Sequence, residues 1–406
     1  MTYERSSVNH VDWYRGKVVF LTGATGSLGG CLLYKLAVQL PTEKVYALCR
    51  GSVRQAMGKW EASMPDQIDQ IFDSGKVHCI IGDMLQPDFG LNVDDLDTLR
   101  REVTIVIHAA AELSLLQDLR ASIRHNYFPA VELVRMMTQF KRIKSFLFVS
   151  SMAVCTFLPA GSVEERAYCI AEDEDPPESQ VASILSTGRS QYEDNFPVPY
   201  AQAKYLAEHA IFSSNVPFSV LVIRPSSIGP AIQDPRPFYG PEEAIPVHTF
   251  LRLLLGSREY KSWNDTRKVQ QDIIVDEIPV DLVANTCLLH IACGTAGIVH
   301  AGAQLYKALT VREYSNKCRQ YTPKSIAHQV AKASLEQNSA LLKRVTGVSD
   351  NYQRAWNIEC RRSEALRQTT GPIGLYIPDH DFDLALKVRI EKQSRQVAER
   401  INQAGY

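Results

Sequence analysis

Lys17-Val18-Val19-Phe20-Leu21-Thr22-Gly23-Ala24-Thr25-Gly26-Ser27-Leu28-Gly29-Gly30 is the stretch that decides the fold. Residues 18–22 are apolar or β-forming, which suits a strand covered on both faces. Gly23, Gly26 and Gly29 follow at the spacing G-x-x-G-x-x-G, and residues 28–36 read as a helix. A dinucleotide pyrophosphate needs a backbone it can approach closely and helix N–H groups aimed at it. Side chains at Gly23 or Gly26 would stand in the way, and Gly29 would let the helix pack tightly on the sheet. Thr22, Thr25, Ser27 and Leu28 complete this candidate cofactor turn. Turns in any fold use glycine for its backbone freedom. Here the triplet follows a strand and opens an apolar helix, and the reading is a dinucleotide site.

The whole chain fits that beginning. Its 406 residues suffice for one large domain, or a main domain with a smaller one, and 45% apolar residues can fill a sizeable core. A net charge of −1 gives no global pull toward nucleic acid or an anionic membrane. The nine cysteines are scattered without a C-x-x-C pair, and no metal-ligating pattern is read. Cys31, Cys49, Cys79 and Cys287 sit in apolar runs and read as reduced core residues, which points to a reducing, cytoplasmic setting. Residues 1–12 are polar and do not read as a signal peptide. No apolar run approaches the ~18 residues of a membrane span. The sequon Asn264-Asp265-Thr266 is therefore expected to be unused.

Strand-like runs recur at residues 18–22, 45–49, 77–81, 103–107, 146–149 and 219–223, with helical patterns between most of them. That alternation predicts a doubly wound α/β fold of the Rossmann type, a parallel sheet with helices on both faces. Ligands then bind at the carboxyl ends of the strands. After the second run stand Arg50 and, nearby, Arg54, where an NAD-preferring site commonly has an acid. An arginine there suits a 2′-phosphate; the alternative is a solvated arginine at a strand end. After the third run come Asp83 and Met84. Asp83 reads equally as an acceptor for the adenine amine or as a loop acid. His108, Ala109 and Ala110 follow the fourth run. The small residues would let backbone pass under the cofactor; His108 reads as structural rather than catalytic and is counted with Ala109 and Ala110 among the candidate cofactor-binding residues. Asn126, in the next helix, is a candidate to hold nearby backbone by a side-chain hydrogen bond.

After the fifth run comes Val149-Ser150-Ser151-Met152-Ala153-Val154, and downstream lies Tyr200-Ala201-Gln202-Ala203-Lys204. On a helix Tyr200 and Lys204 share a face. A tyrosine with a pKa of ~10 becomes a usable acid–base group beside an ammonium and a nicotinamide cation. After the sixth run, Arg224-Pro225-Ser226-Ser227-Ile228-Gly229-Pro230 is expected to break the sheet and cross the nicotinamide, with Pro225, Ser226 and Ser227 against it. Ile278-Pro279-Val280-Asp281 opens a helix with Asp281 in its first turn.

Together these residues resemble the extended short-chain dehydrogenase/reductases. Within them the chain is most similar to the fatty acyl-CoA reductase (male-sterility) branch and the related thioester-reductase domains. The resemblance rests on Trp13-Tyr14-Arg15-Gly16-Lys17 leading into the glycine turn, on Val149-Ser150-Ser151, on Tyr200 and Lys204, and on Ile278-Pro279-Val280-Asp281. It covers about residues 13–300. It implies a catalytic Ser151, with Ser150 the near alternative, and places Tyr200 and Lys204 in the acid/base and lysine roles. It also implies NADPH as cofactor and an acyl thioester substrate, carried on coenzyme A or a separate carrier protein, reduced to aldehyde or alcohol. Two other readings stay open: a related enzyme acting on a free ketone, aldehyde or alcohol, and a non-catalytic NADP-binding regulator.

The expected organisation is a cofactor domain from residues 1–235, joined by 273–300. A smaller, mostly helical substrate-binding region is expected from 236–272 and 301–406. There are departures from the family. Ser151 and Tyr200 lie 49 positions apart, and the insert between them carries the acidic runs 164–165 and 172–175 with Glu178. This insert reads as a solvated loop rather than a lid. The apolar run 247–255 reads equally as core or as an acyl channel. In the tail, Val388, Ile390, Val397 and Ile401 form an apolar stripe expected to dock on the parent domain.

Overall fold

The computed structural model describes residues 10–114, 117–240, 272–332, 355–378 and 380–403. Strands β1 (Val18–Thr22), β2 (Lys44–Cys49), β3 (Val77–Ile81), β4 (Ile105–His108), β5 (Ser145–Val149), β7 (Ser219–Pro225) and β11 (Gly297–Ala301) form one sheet. Their order is β11-β7-β5-β4-β1-β2-β3. Every neighbouring pair is parallel. The chain winds outward from β1 to β3, then jumps back beside β1 to continue through β4. The β1/β4 crevice is therefore the topological switch point, where doubly wound sheets take their ligands.

Helices cover both faces. Val19 and Leu21 of β1 pack with α1 (Ser27–Tyr34), α2 (Val53–Ser63) and α7 (Val280–Ala292). Val18 and Phe20 pack with α3 (Val93–Glu102), α4 (Phe128–Met137) and α6 (Pro199–Ser213). A strand buried on both faces needs the unbroken apolar run that β1 has. Between β5 and α6 lie β6 (Gly161–Val163) and α5 (Pro177–Thr187). The C-terminal part adds three small strand pairs. β8 (Ser227–Gly229) pairs with β10 (Glu277–Pro279), β9 (Ile274–Val275) with β12 (Leu309–Thr310), and β6 with β13 (Trp356–Ile358). Helices α8 (Val311–Tyr321), α9 (Lys324–Lys332) and α10 (Phe382–Gln403) complete it.

The expected Rossmann-type architecture is present, with five corrections. β4 starts at Ile105, because α3 runs to Glu102 and Thr104 bonds its side chain to the Val18 carbonyl at 3.0 Å. β7 does not stop before Arg224; Arg224 and Pro225 pair with His300 and Ala301. The partner strand β11 was not expected, since its apolar centre is only Ile298-Val299. The acidic insert is only partly solvated. Glu172, Asp173, Asp175 and Glu178 are exposed, but Glu165 accepts from the amides of His300 (2.9 Å) and Arg362 (2.7 Å). Glu174 likewise accepts from the amide of Ile170 at 3.1 Å and from Gln180 at 2.8 Å. In the tail, Ile390 is buried whereas Val388 is exposed, so the two do not share a docking face. The side chains of Val397 and Ile401, the run 247–255 and Asn264 lie outside the described residues.

Of the four cysteines read as core, Cys31, Cys49 and Cys287 are buried and Cys79 half-buried. Among the described residues no helix is long and apolar enough to cross a membrane, and no cluster could hold a metal ion.

Candidate active site

Backbone crowding explains two of the three turn glycines. Gly23 has φ +75°, and a Cβ there would lie 2.6 Å from the amide nitrogen of Ala110. A Cβ on Gly29 would lie 2.0 Å from the Gly23 carbonyl oxygen. Gly26 differs: it is exposed, and its Cβ would meet only the Gly23 oxygen, at 3.3 Å. Gly26 is also the N-cap of α1, and it offers the first-turn amides no side-chain acceptor. Open amides behind a glycine facing solvent fit a pyrophosphate. Thr25 and Ser27 are half-buried beside Gly26, and Leu28 is buried behind it. The turn is pinned from α2, where the Trp60 indole donates to the Ala24 carbonyl at 2.9 Å. Tyr239 packs against Gly30 from the other side. Neither Trp60 nor Tyr239 carried a sequence signal, because each reaches the turn from a distant segment.

Across the crevice, Thr22 Oγ1 and His108 Nδ1 are 2.7 Å apart, and the Ala110 amide donates to Thr22 Oγ1 at 3.4 Å. His108 is fully buried; burial first, then the charge of Lys204, pushes its pKa down to about 3. It is thus neutral at physiological pH and links β1 to β4. Asn126 accepts from the Glu112 amide at 3.0 Å and donates to the Glu112 carbonyl at 3.2 Å, so it clamps the backbone beyond Ala109 and Ala110.

Arg50 and Arg54 are both exposed where β2 gives way to α2, and Ser52 caps that helix by accepting from the Gln55 amide at 3.2 Å. Arg50, Gln55 and Lys59 edge a shallow recess there. Asp83 is half-buried, with one carboxylate oxygen accepting from the Leu85 amide at 3.1 Å; Met84 beside it is half-buried too.

The serine strand end and the tyrosine helix meet at a lysine. Lys204 is 1% exposed, and its ammonium donates to the Val149 carbonyl at 2.9 Å while lying 4.4 Å from the Phe148 ring centroid. Burial lowers its pKa to about 7, with Glu208 pulling the other way. Val149 is the residue before Ser150 and Ser151, so this one bond fastens α6 to the serine pair. Tyr200 is half-buried one turn before Lys204 on α6. Ser151 is half-buried and accepts from the Ala153 amide at 3.1 Å. Ser150 is buried, and its hydroxyl has no hydrogen-bond partner among the described residues.

One further pair was missed. Glu208 continues the Tyr200/Lys204 face by another turn and takes two bonds from Arg224 Nε, at 3.0 and 3.2 Å, both side chains being buried. The spacing 200/204/208 was the available signal. Arg224 also donates to the Arg166 carbonyl at 3.0 Å, which ties the insert to the site. Beyond it the Ser226 amide bonds to the Ala301 carbonyl at 2.9 Å and the Ser227 amide to the Asp276 carbonyl at 3.1 Å. Thus Pro225, Ser226 and Ser227 sit at the carboxyl edge of the sheet, as do the glycine turn, the serine pair and Lys204.

The sequence matches the family described as male sterility protein over residues 21–287. The chain belongs to the male sterility protein family. Its relatives include fatty acyl-CoA reductase 1 of Xenopus laevis, 28% identical over 293 residues, covering 68% of this chain and 55% of that protein. Fatty acyl-CoA reductase 1 of Homo sapiens is 26% identical over 297 residues, again 68% and 55%. The chain thus spans about half the length of the curated relatives it matches. Among solved structures, the terminal R domain from the myxalamid PKS-NRPS biosynthetic pathway superposes with a TM-score of 0.64 at 20% identity, covering 93% of this chain and 90% of that one. The Bordetella bronchiseptica enzyme WbmF in complex with NAD+ and UDP superposes at 0.53 with 14% identity, covering 96% and 98%. These likenesses are of fold, and they extend past residue 287 into the C-terminal region that resembled the family poorly in sequence.

Proposed function

We propose that this member of the male sterility protein family is an NADPH-dependent reductase of acyl thioesters, acting through Ser151, Tyr200 and Lys204. The observation that carries the reading is the Lys204–Val149 bond, which fastens the tyrosine helix to the serine strand end beside the glycine turn. A dinucleotide laid across Gly23, Gly26 and Gly29 would have its nicotinamide at that edge. Arg50 and Arg54, with no acid in their place, favour a 2′-phosphate on the adenosine ribose and hence NADPH. Met84 and Asp83 would border the adenine, and Pro225, Ser226 and Ser227 the nicotinamide.

Bound NADPH would supply the hydride. Ser151 and Tyr200 donate hydrogen bonds to the carbonyl oxygen as negative charge builds there. Tyr200 delivers the proton, and Lys204, when charged, lowers the cost of leaving a phenolate behind. Collapse of the resulting hemithioacetal releases a thiol and an aldehyde, and a second round gives an alcohol. The name of the fatty acyl-CoA reductase relatives supports a coenzyme A thioester, and a thioester on a separate carrier protein is the alternative donor. Residues 1–235 with 273–300 form the cofactor domain on this reading, and 236–272 with 301–406 the substrate region.

The decisive assay follows NADPH oxidation and free thiol release together, using acyl-CoA and acyl-carrier thioesters. Coupled appearance of both is expected, with NADH a poorer donor. Reduction of free aldehydes or ketones without thiol release from any acyl donor would move the enzyme to the related carbonyl reductases.

A further inference from the structure

The loop that leaves the serine pair Ser226–Ser227 leads into a second cavity. Strand β8 runs directly from Ser227 and pairs with β10, and behind that pair a cleft of about 330 Å³ opens beneath α10. Its walls are chiefly apolar, with Ile232, Phe238, Leu309, Phe382 and Leu384 among them. Leu384 is 56% exposed and stands at the mouth.

Charged groups line this apolar cleft. Arg389 of α10 and Glu277 of β10 both face it, their side chains 12% and 13% exposed, with an N–O separation of 2.8 Å. Gly229 makes the room: a Cβ there would lie 2.0 Å from Glu277 Oε1. Tyr314 receives a bond from Arg389 Nη2 at 3.3 Å. Arg389 Nη2 donates to Glu277 Oε2 at 2.8 Å and lies 2.8 Å from Oε1, whereas Arg389 Nε has no hydrogen-bond partner among the described residues. A buried donor without a partner is costly, and this one belongs to a residue lining a cleft of ligand size. The two charges cancel, so the pair does not call for an ion. What it lacks is a neutral group that accepts from Nε–H. A hydroxyl or a carboxamide oxygen does so.

We propose that this cleft holds the far end of the acyl group, and that Arg389, held in place by Glu277, selects acyl chains bearing a hydroxyl or amide there. The inference rests on the thioester reductase reading for its substrate but not for its binding site. A plain alkyl chain would leave the Arg389 Nε–H desolvated and unpaired. A site built to hydrogen-bond a ligand group discriminates more sharply than one that merely accommodates it.

The test compares ω-hydroxydecanoyl-CoA with decanoyl-CoA on the wild type and on Arg389→Lys, which keeps a cation beside Glu277 and removes the Nε donor. The wild type should favour the hydroxylated chain by roughly tenfold in kcat/KM, one hydrogen bond to a charged group. Arg389→Lys should bring that ratio close to one. Leu384→Trp, at the exposed mouth, should raise KM for both chains without lowering Tm. Calorimetric binding of decanamide to the wild type and to Arg389→Lys reads the same cleft without turnover, so a protein that reduces no thioester still tests it. Equal turnover of the two chains by the wild type overturns the proposal. So does a preference that survives Arg389→Lys, or a loss shared equally with acetyl-CoA, which would put the pair against the pantetheine arm.

Discussion

Two lysines are buried among the described residues, on opposite sides of the sheet, and they have opposite surroundings. Lys35, just past α1, is 0% exposed and lies 2.7 Å from the carboxylate of Asp234, with the Pro372 carbonyl at 2.9 Å and Gln39 at 3.3 Å. Lys204 has a backbone carbonyl and an aromatic face instead, because the nearest carboxylate, Glu208, is committed to Arg224. A buried ammonium with a carboxylate at contact distance fastens two segments. A buried ammonium without one is left near its titration point, and burial sets Lys204 at about 7. Equal burial thus gives a structural clamp in one place and a proton-sensitive group in the other.

The largest effect should come from Lys204→Met. It is expected to cut kcat by about 10²–10⁴, the usual reach of acid–base assistance, while Tm holds or rises, since a desolvated charge has gone. A Tm collapse with kcat intact would make the two lysines alike. Lys35→Met should do the reverse. It strands Asp234 and should cost about 3–5 kcal/mol in denaturant unfolding, with kcat per folded molecule within a few-fold of the wild type. Glu208→Gln sharpens the contrast: Arg224 loses its partner, stability falls, and the kinetic pKa assigned to Lys204 moves below its wild-type value because the carboxylate that raised it is gone.

The pH dependence is the subtlest test. The proposed mechanism needs Lys204 charged, so kcat/KM should fall as pH rises through about 7. In stability the sign is opposite. The folded pKa lies below the unfolded one, so the unfolded chain binds the extra proton. Wild type relative to Lys204→Met should therefore gain stability as pH climbs from about 7 toward the unfolded lysine value of ~10.4. A flat difference across that window would mean Lys204 stays charged in the native protein.

The contrast also marks what the sequence could disclose. The glycine turn, most of the sheet and the Tyr200/Lys204 pair follow from spacing within a single element, and periodicity records such spacing. The environments of the lysines do not. Asp234 comes 199 residues after Lys35, and Trp60 reaches Ala24 from 36 residues on. Glu208 could have been read from its four-residue interval, but nothing local to it names Arg224 as its partner. Strand β11 escaped notice because only its neighbour β7 makes so short a run a strand. The acidic insert looked solvated because composition cannot show that Glu165 and Glu174 bond to amides. Which site residues hold cofactor depends on groups the chain does not itself contain.

The close approach of Gly23 to Ala109 and Ala110 has an evolutionary corollary. Main chain meets main chain there, so almost no substitution at those glycine contacts can adjust the hydride's position by degrees; it is inherited whole or lost. The cleft beneath α10 is shaped by side chains and can be rewritten one residue at a time. If the proposed function holds, descendants of such a protein would diversify in what they reduce while conserving how they reduce it.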